Sequence, residues 1–183
     1  MSVLKHVILA SAVLALTACS SETTSSDTSS PTTVEKDILS ADGAKLGTLT
    51  LKDLGMGGTA VTVIVEGISE GSHAMHFHET GLCEGQDFKS AGGHYNPNGR
   101  AHGKNMADGP HAGDMMNIMV GEDLTGELNL VNDRVSLKGD HNLPALFDAD
   151  GSAFILHERA DDYESQPSGA AGARIGCAVL KGF

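Results

Sequence analysis

Six histidines and one aspartate constrain this chain more than any other feature: His76-Phe77-His78, then His94, His102, His111 and Asp114, and finally His157. Histidine is the commonest metal ligand among side chains, and six of the nine histidines belong to this set. That many imidazoles on one domain exceed what ordinary surface chemistry needs. Their spacing fits two metal ions that share one ligand, so the fold has to gather residues that lie far apart in the chain.

A strand presents residues i and i+2 on one face. His76 and His78 therefore point one way, and Met75 and Phe77 point the other way, into the core. Two imidazoles on one face make half of a square-planar nitrogen site, a geometry suited to Cu(II). His94 follows in Gly92-Gly93-His94-Tyr95-Asn96-Pro97, with His102, His111 and Asp114 at successive intervals of 8, 9 and 3 residues. Three imidazoles and a carboxylate match a closed, tetrahedral zinc site. The carboxylate in one set and the all-nitrogen composition of the other let the protein sort zinc from copper, which affinity order alone would not do. His94 can serve both metals if its imidazole is deprotonated and bridges them. His157 ends a strand-like run, Phe154-Ile155-Leu156-His157, and supplies the fourth copper nitrogen. The other histidines read differently: His6 lies in an N-terminal leader, His73 is a hydrogen-bonded structural residue on the opposite strand face from His76, and His141 is exposed in a polar turn before Pro144. Met115, Met116 and Met119 read as core and barrel surface rather than as a soft copper(I) site.

Around these ligands the chain shows short β-rich runs punctuated by glycine: Leu46 to Leu51, Ala60 to Val65, Ala74 to His78, Met115 to Val120, Glu127 to Val131, Arg134 to Leu137, Ala153 to His157 and Arg174 to Leu180. Ala41-Asp42-Gly43 and Gly57-Gly58 read as turns. No useful window carries a helical period, so the pattern predicts an all-β sandwich or barrel. Glu79 to Pro110 and Glu158 to Gly172 break the rhythm as long, polar, glycine-rich loops. Loops of that length are uncommon unless functional or disordered, and bound metals with a disulfide would order them.

The first 18 residues read as a secretory leader, with Lys5 ahead of a ten-residue apolar run, Val7 to Leu16. That run is too short to span a bilayer, which takes about 20 residues. It ends at Leu16-Thr17-Ala18-Cys19, which resembles a bacterial lipobox and makes Cys19 the expected lipidation site. Residues 19–33 then form a tether in which eleven of the fourteen residues from Ser20 to Thr33 are Ser or Thr, too polar to offset the entropy of ordering. Residues 34–183 remain as one domain. Its charge matters to its partners: the chain carries −12, or −13 once Lys5 leaves with the leader, which excludes nucleic acid as a natural partner. Lipidation would remove one of the three cysteines, and export favours a disulfide between the other two, Cys83 and Cys177.

The ligand segments together resemble copper/zinc superoxide dismutase of the bacterial exported kind, across essentially the whole domain from about Val34 onward. The matching stretches are His73-Ala-Met-His76-Phe-His78-Glu79, Gly93-His94-Tyr95-Asn96-Pro97, Gly109-Pro110-His111-Ala-Gly-Asp114, His157-Glu-Arg-Ala-Asp161-Asp162 and Gly172-Ala-Arg174-Ile-Gly-Cys177. The resemblance implies an eight-stranded Greek-key β-barrel. It implies copper on His76, His78, His94 and His157, and zinc on His94, His102, His111 and Asp114. It also implies a Cys83–Cys177 disulfide, a substrate-guiding Arg174, and an Asp161 carboxylate that hydrogen-bonds His76 and His102. Met75 stands where the family often has an aromatic residue, and the loop around Arg100 to Met106 is particular to this chain.

The implied reaction is disproportionation of superoxide to oxygen and hydrogen peroxide by copper redox cycling, beside a structural zinc. Arg174 would give the anion a fixed positive dock, and Lys89, five residues before His94, would extend it to the rim. The competing class is an exported copper- or zinc-binding protein without turnover. Such a protein needs the ligands but neither Arg174 nor Asp161. Bacterial members occur as monomers and as homodimers, so the sequence leaves assembly open. The location implied is the periplasmic side of the envelope, held to the membrane through the Cys19 lipid.

Overall fold

The computed structural model describes residues 32–182. The leader, Cys19 and the tether as far as residue 31 lie outside the described residues. Nine strands form: β1 Thr33–Leu39, β2 Lys45–Asp53, β3 Thr59–Glu66, β4 Gly71–His73, β5 Met75–His78, β6 Ile118–Val120, β7 Thr125–Asn132, β8 Ser152–His157 and β9 Arg174–Leu180. Two short 3-10 turns, Gly55–Gly57 and Lys89–Ala91, are the only helical segments among the described residues.

Alternation places the core. In β2 and β3 the partners Leu49↔Val63 and Leu51↔Val61 lie directly opposite each other, and Val61 and Val63 in turn face Leu130 and Leu128 of β7. Leu49, Leu51, Val61 and Val63 are fully buried, each worth about 1.5–3 kcal/mol relative to exposure. β-Branched side chains suit this pleated, half-buried surface. Met75 and Phe77 turn inward as their position opposite the histidines requires, and Phe77 meets Phe154 edge-on with ring centroids 6.3 Å apart.

The main sheet is antiparallel with strand order β5-β8-β9-β1-β2-β3-β7, and β4 pairs with β6 in a second ladder. Only Ala74 separates β4 from β5. Its N–H donates to Arg159 O, and its carbonyl accepts from the His157 N–H, so one bent strand passes from one ladder to the other. β6 joins β7 through a tight turn in which the Gly121 N–H donates to Thr125 O at 2.9 Å. Counting the bent strand once gives eight strands in a curled antiparallel sheet, the all-β architecture expected.

Three expectations need correction. Arg134 to Leu137 is not a strand: Val135 and Leu137 are fully buried, but Ser136 makes only an isolated bridge to Ala145 while its Oγ accepts the N–H groups of Gly139 and Asp140. The alternation there reports burial without a ladder. Met115 to Val120 shortens to β6, because the Asn117 N–H is taken by the Tyr163 hydroxyl at 2.8 Å. The third is an omission: β1 pairs with β2 along its whole length, yet only Ile38 in it is fully buried, so Glu35, Lys36 and Asp37 hid its strand character.

The long loops are pinned to the sheet. Cys83 and Cys177 form a disulfide with Cα atoms 5.9 Å apart. Phe88 and Ala91 pack beside it on Ala153 and Ile155 of β8. This small apolar cluster covers the sheet face opposite Phe77 and fixes the first loop over β8 and β9.

Candidate metal centre

β5 supplies His76 and His78, β8 ends on His157, and the first long loop returns to β5 through a bridge between His78 and His94. These four histidines bring one ring nitrogen each within 4.8 Å of the others. All are at least 92% buried, since the most exposed, His94, shows 8% of its surface. His76 Nδ1, His78 Nε2, His94 Nε2 and both ring nitrogens of His157 have no hydrogen-bond partner among the described residues. Buried ring nitrogens left bare are costly, and a metal ion satisfies one nitrogen from each of the four rings at once.

The second set converges on Asp114. His94 Nδ1 lies 3.0 Å from Asp114 Oδ1, His111 Nδ1 lies 3.2 Å from the same oxygen, and His111 Nδ1 lies 3.4 Å from His94 Nδ1. Ligands held at about 2.05 Å around a tetrahedral zinc would be about 3.3 Å apart, so the spacing fits. His102 Nδ1 is 3.1 Å from Asp114 Oδ2, yet its orientation makes no hydrogen bond. Two ligands aimed at a common centre have that relation. His76 is also within reach of His94, His102 and Asp114. It belongs with the first set, because its Nε2 is bound to Asp161 and its free Nδ1 completes the four-nitrogen group. His94 presents Nε2 to one set and Nδ1 to the other.

The supporting hydrogen bonds leave these ring nitrogens free. His76 Nε2 donates to Asp161 Oδ2 at 2.9 Å and His102 Nε2 to Asp161 Oδ1 at 3.0 Å. Both rings therefore keep Nδ1 as the lone pair. His78 Nδ1 donates to Gly92 O at 3.0 Å, which keeps Nε2. Asp161 is itself fixed: its N–H donates to Asn117 Oδ1, and its carbonyl accepts from Asn117 Nδ2, each at 2.9 Å. Such partners set the tautomer and basicity of metal-binding histidines. Sequence reasoning anticipated Asp161 but missed Gly92 and Asn117. Gly92 contributes only a backbone carbonyl, and the Asn117 contact spans 44 residues.

Electrostatics keep the rings of the four-histidine set deprotonated, while His102 differs. Burial pushes His94 down to about 4 and His157 down to about 2, and it holds His78 well below the usual imidazole value. Burial alone would also lower His102, but the carboxylates of Asp114 and Asp161 outweigh it and lift that ring to about 9 in the metal-free chain. Burial would raise Asp114, but the close approach of the His102, His111 and His94 rings holds it far below the ordinary carboxylate range. A zinc ion bound by these residues would take the place of those protons.

Arg174 is the direct cross-strand partner of His157. Its guanidinium donates to Phe88 O at 2.8 Å and to Gly92 O at 2.7 Å. The Gly92 carbonyl is thus shared by Arg174 and His78, which sets a positive charge beside the four-histidine group. Lys89 opens the short turn between Phe88 and Gly92. Its side chain is 83% exposed and pairs with Asp87 at 2.7 Å, so part of its charge is cancelled. His73 is buried between two carbonyls, with Nδ1 2.9 Å from His157 O and Nε2 2.8 Å from Ser69 O, while His141 is exposed.

Residues 45–180 match the family model for copper/zinc superoxide dismutase (SODC). A superoxide dismutase [Cu-Zn] of Caulobacter vibrioides is 39% identical over 145 residues, covering 79% of this chain and 83% of that protein. One from Deinococcus radiodurans is 35% identical over 183 residues, covering 92% of this chain and 91% of that protein. Among solved structures, a SOD-like protein from Bacillus subtilis superposes with a TM-score of 0.75 at 38% identity, over 80% of this chain and 97% of that one. With two histidine clusters meeting at His94 and homology across nearly the whole domain, the chain belongs to the copper/zinc superoxide dismutase family.

Proposed function

We propose that His76, His78, His94 and His157 hold the copper of this superoxide dismutase, and that His94, His102, His111 and Asp114 hold its zinc. The bare, converging ring nitrogens carry this reading. Six ring nitrogens on His76, His78, His94, His102 and His157 are buried without a hydrogen-bond partner, and each of these rings belongs to one of the two ligand sets. Bound copper supplies the one-electron exchange by which two superoxide anions and two protons become oxygen and hydrogen peroxide. The chain's own groups do the rest. Arg174 stays charged at any relevant pH and docks the anion beside His157 and His78. His94 Nε2 is the one ring nitrogen of the first set whose partner nitrogen belongs to the second, so it can take up and release a proton while Nδ1 keeps its place. Asp161 holds His76 and His102 in the tautomers both sets require. The buried walls exclude bulk water, which makes these fixed charges more effective.

The envelope location belongs to the same reading, supported by the leader and by Leu16-Thr17-Ala18-Cys19. The mature chain is exported and lipid-anchored at Cys19 on the periplasmic side. The ligand assignment is tested by metal analysis of His157→Ala and His111→Ala beside wild type. Loss of copper alone in the first and of zinc alone in the second is expected; both metals retained in full by either variant would overturn its assignment. The anchor is tested by fractionation: wild type should sediment with membranes, and Cys19→Ser should be released or misprocessed.

A further inference from the structure

All four zinc ligands lie outside the strands; His94 and Asp114 make isolated bridges to His78 and His76, and the rest of the grip on these backbones comes from side chains. For His102 it is a single side chain. The His102 N–H donates to Gln166 Oε1 at 2.9 Å, and Gln166 Nε2 donates to His102 O at 2.9 Å. One amide thus replaces a paired strand, across 64 residues of sequence. The Gln166 Nε2 also donates to Glu164 O at 2.9 Å, which ties it to its own loop. For His111 and Asp114 the clamp comes from the end of β7. Arg134 Nη2 donates to Asp114 O at 2.7 Å, and Arg134 Nε donates to His111 O at 3.3 Å. Buried Asn132 donates to Ala112 O between them at 2.9 Å and accepts the Arg134 N–H at 3.0 Å. Neither clamp touches a ligand ring or a ligand carboxylate.

We propose that Gln166 and Arg134 are positioning residues for zinc: they build the zinc half of the centre by gripping the main chain of His102 and of His111 to Asp114. This rests on the zinc assignment above. The four-histidine set is held differently, by β5, β8 and the Gly92 carbonyl. The clamps therefore act on one metal and not the other. They also act on ligand geometry more than on the fold, since Gln166 and Arg134 sit in loops at the surface and Arg134 is 35% exposed.

The test is zinc release from the copper- and zinc-loaded protein to a chromogenic chelator, with cobalt substituted at the zinc position as a spectroscopic report of its geometry. Supporting groups around a metal typically contribute about 10- to 100-fold in affinity. Gln166→Ala and Arg134→Met should each release zinc at least about 10-fold faster and distort the cobalt spectrum, while the copper spectrum of the zinc-saturated protein stays as in wild type. Gln166→Glu keeps the acceptor for the His102 N–H and loses the donor to its carbonyl, so it should fall between wild type and Gln166→Ala. Thr62→Ala, which removes a hydrogen bond to Asn129 on the outer sheet face, should change nothing. Zinc release at the wild-type rate in both clamp variants would overturn the proposal. So would parallel loss of copper and zinc with a lowered unfolding midpoint, which would mean a role in the fold alone. A wild-type protein that holds no zinc would instead overturn the zinc assignment, and the clamps with it.

Discussion

Asp161→Asn is nearly isosteric and separates the charge of this carboxylate from its shape. The native carboxylate accepts His76 Nε2–H at 2.9 Å and His102 Nε2–H at 3.0 Å, one oxygen to each ring. Asparagine can offer an acceptor to only one of them. At the retained contact a hydrogen bond to a charged group, about 1.5–3 kcal/mol, becomes a neutral one of about 0.5–1.5, a loss of about 1 kcal/mol. At the other, an NH2 group faces a ring N–H, and a buried donor left unpaired costs about 1–3 kcal/mol. The sum, about 2–4 kcal/mol, corresponds to about 30- to 1000-fold weaker metal retention at about 1.4 kcal/mol per tenfold. Measured effects of such supporting groups run about 10- to 100-fold, so the lower end is expected. The loss should fall on both metals, because His76 serves one set and His102 the other. Competition titrations with chelators for copper and for zinc measure it. Wild-type affinity for both metals, or weakening of one alone, would refute the idea that this carboxylate braces both halves.

Arg174→Ala should lower the dismutation rate far more than Lys89→Ala. Arg174 sits beside His157 and shares Gly92 O with His78, whereas Lys89 is exposed and paired with Asp87. Despite the net charge of −12, the wild-type rate should fall as salt rises, because fields fade within about 8–10 Å and the local guanidinium dominates at the site; a rate that rises with salt contradicts this. Cys83→Ser should cost about 4–5 kcal/mol in the chain-entropy account of a loop this long, given a sequence separation of 94. It should also depress activity below the unfolding temperature, because it frees the loop that carries Gly92; an unchanged unfolding midpoint counts against it. The metal-free chain should lose stability on acidification. His94 is held at about 4 and His157 at about 2 by burial, against about 6.5 when unfolded. The unfolded chain then takes up protons first, so this stability is present above about pH 6.5 and is lost as pH falls towards 4. His102, raised to about 9, gives its full contribution throughout that window and offsets nothing. Unfolding midpoints that stay flat from pH 7 to pH 4.5 would contradict the assignment of burial as the cause.

The parts of the centre that were legible in the sequence are those written in local spacing. The i, i+2 rule placed His76 and His78 on one face and Met75 and Phe77 in the core, and the His94-to-Asp114 spacing marked the second set. The parts that were not legible depend on contacts with no local signature. Gly92 acts through its carbonyl, Asn117 through a link to Asp161 across 44 residues, and Gln166 through an amide pair with His102. Arg134 to Leu137 alternates like a strand because Val135 and Leu137 are buried, but pattern reports burial and not pairing. β1 failed in the opposite sense, since its pairing with β2 runs its full length with little apolar burial to announce it.

The central claim is that one imidazole joins the two metals, and the electron-spin spectrum of the bound copper tests it most directly. His94 turns Nε2 to the four-histidine set and Nδ1 to Asp114 and His111. In wild type, removing zinc should therefore change the copper spectrum. In His94→Ala, which keeps the folded sheet, the copper spectrum should be insensitive to zinc. The same zinc dependence in both proteins would contradict a shared ligand at His94.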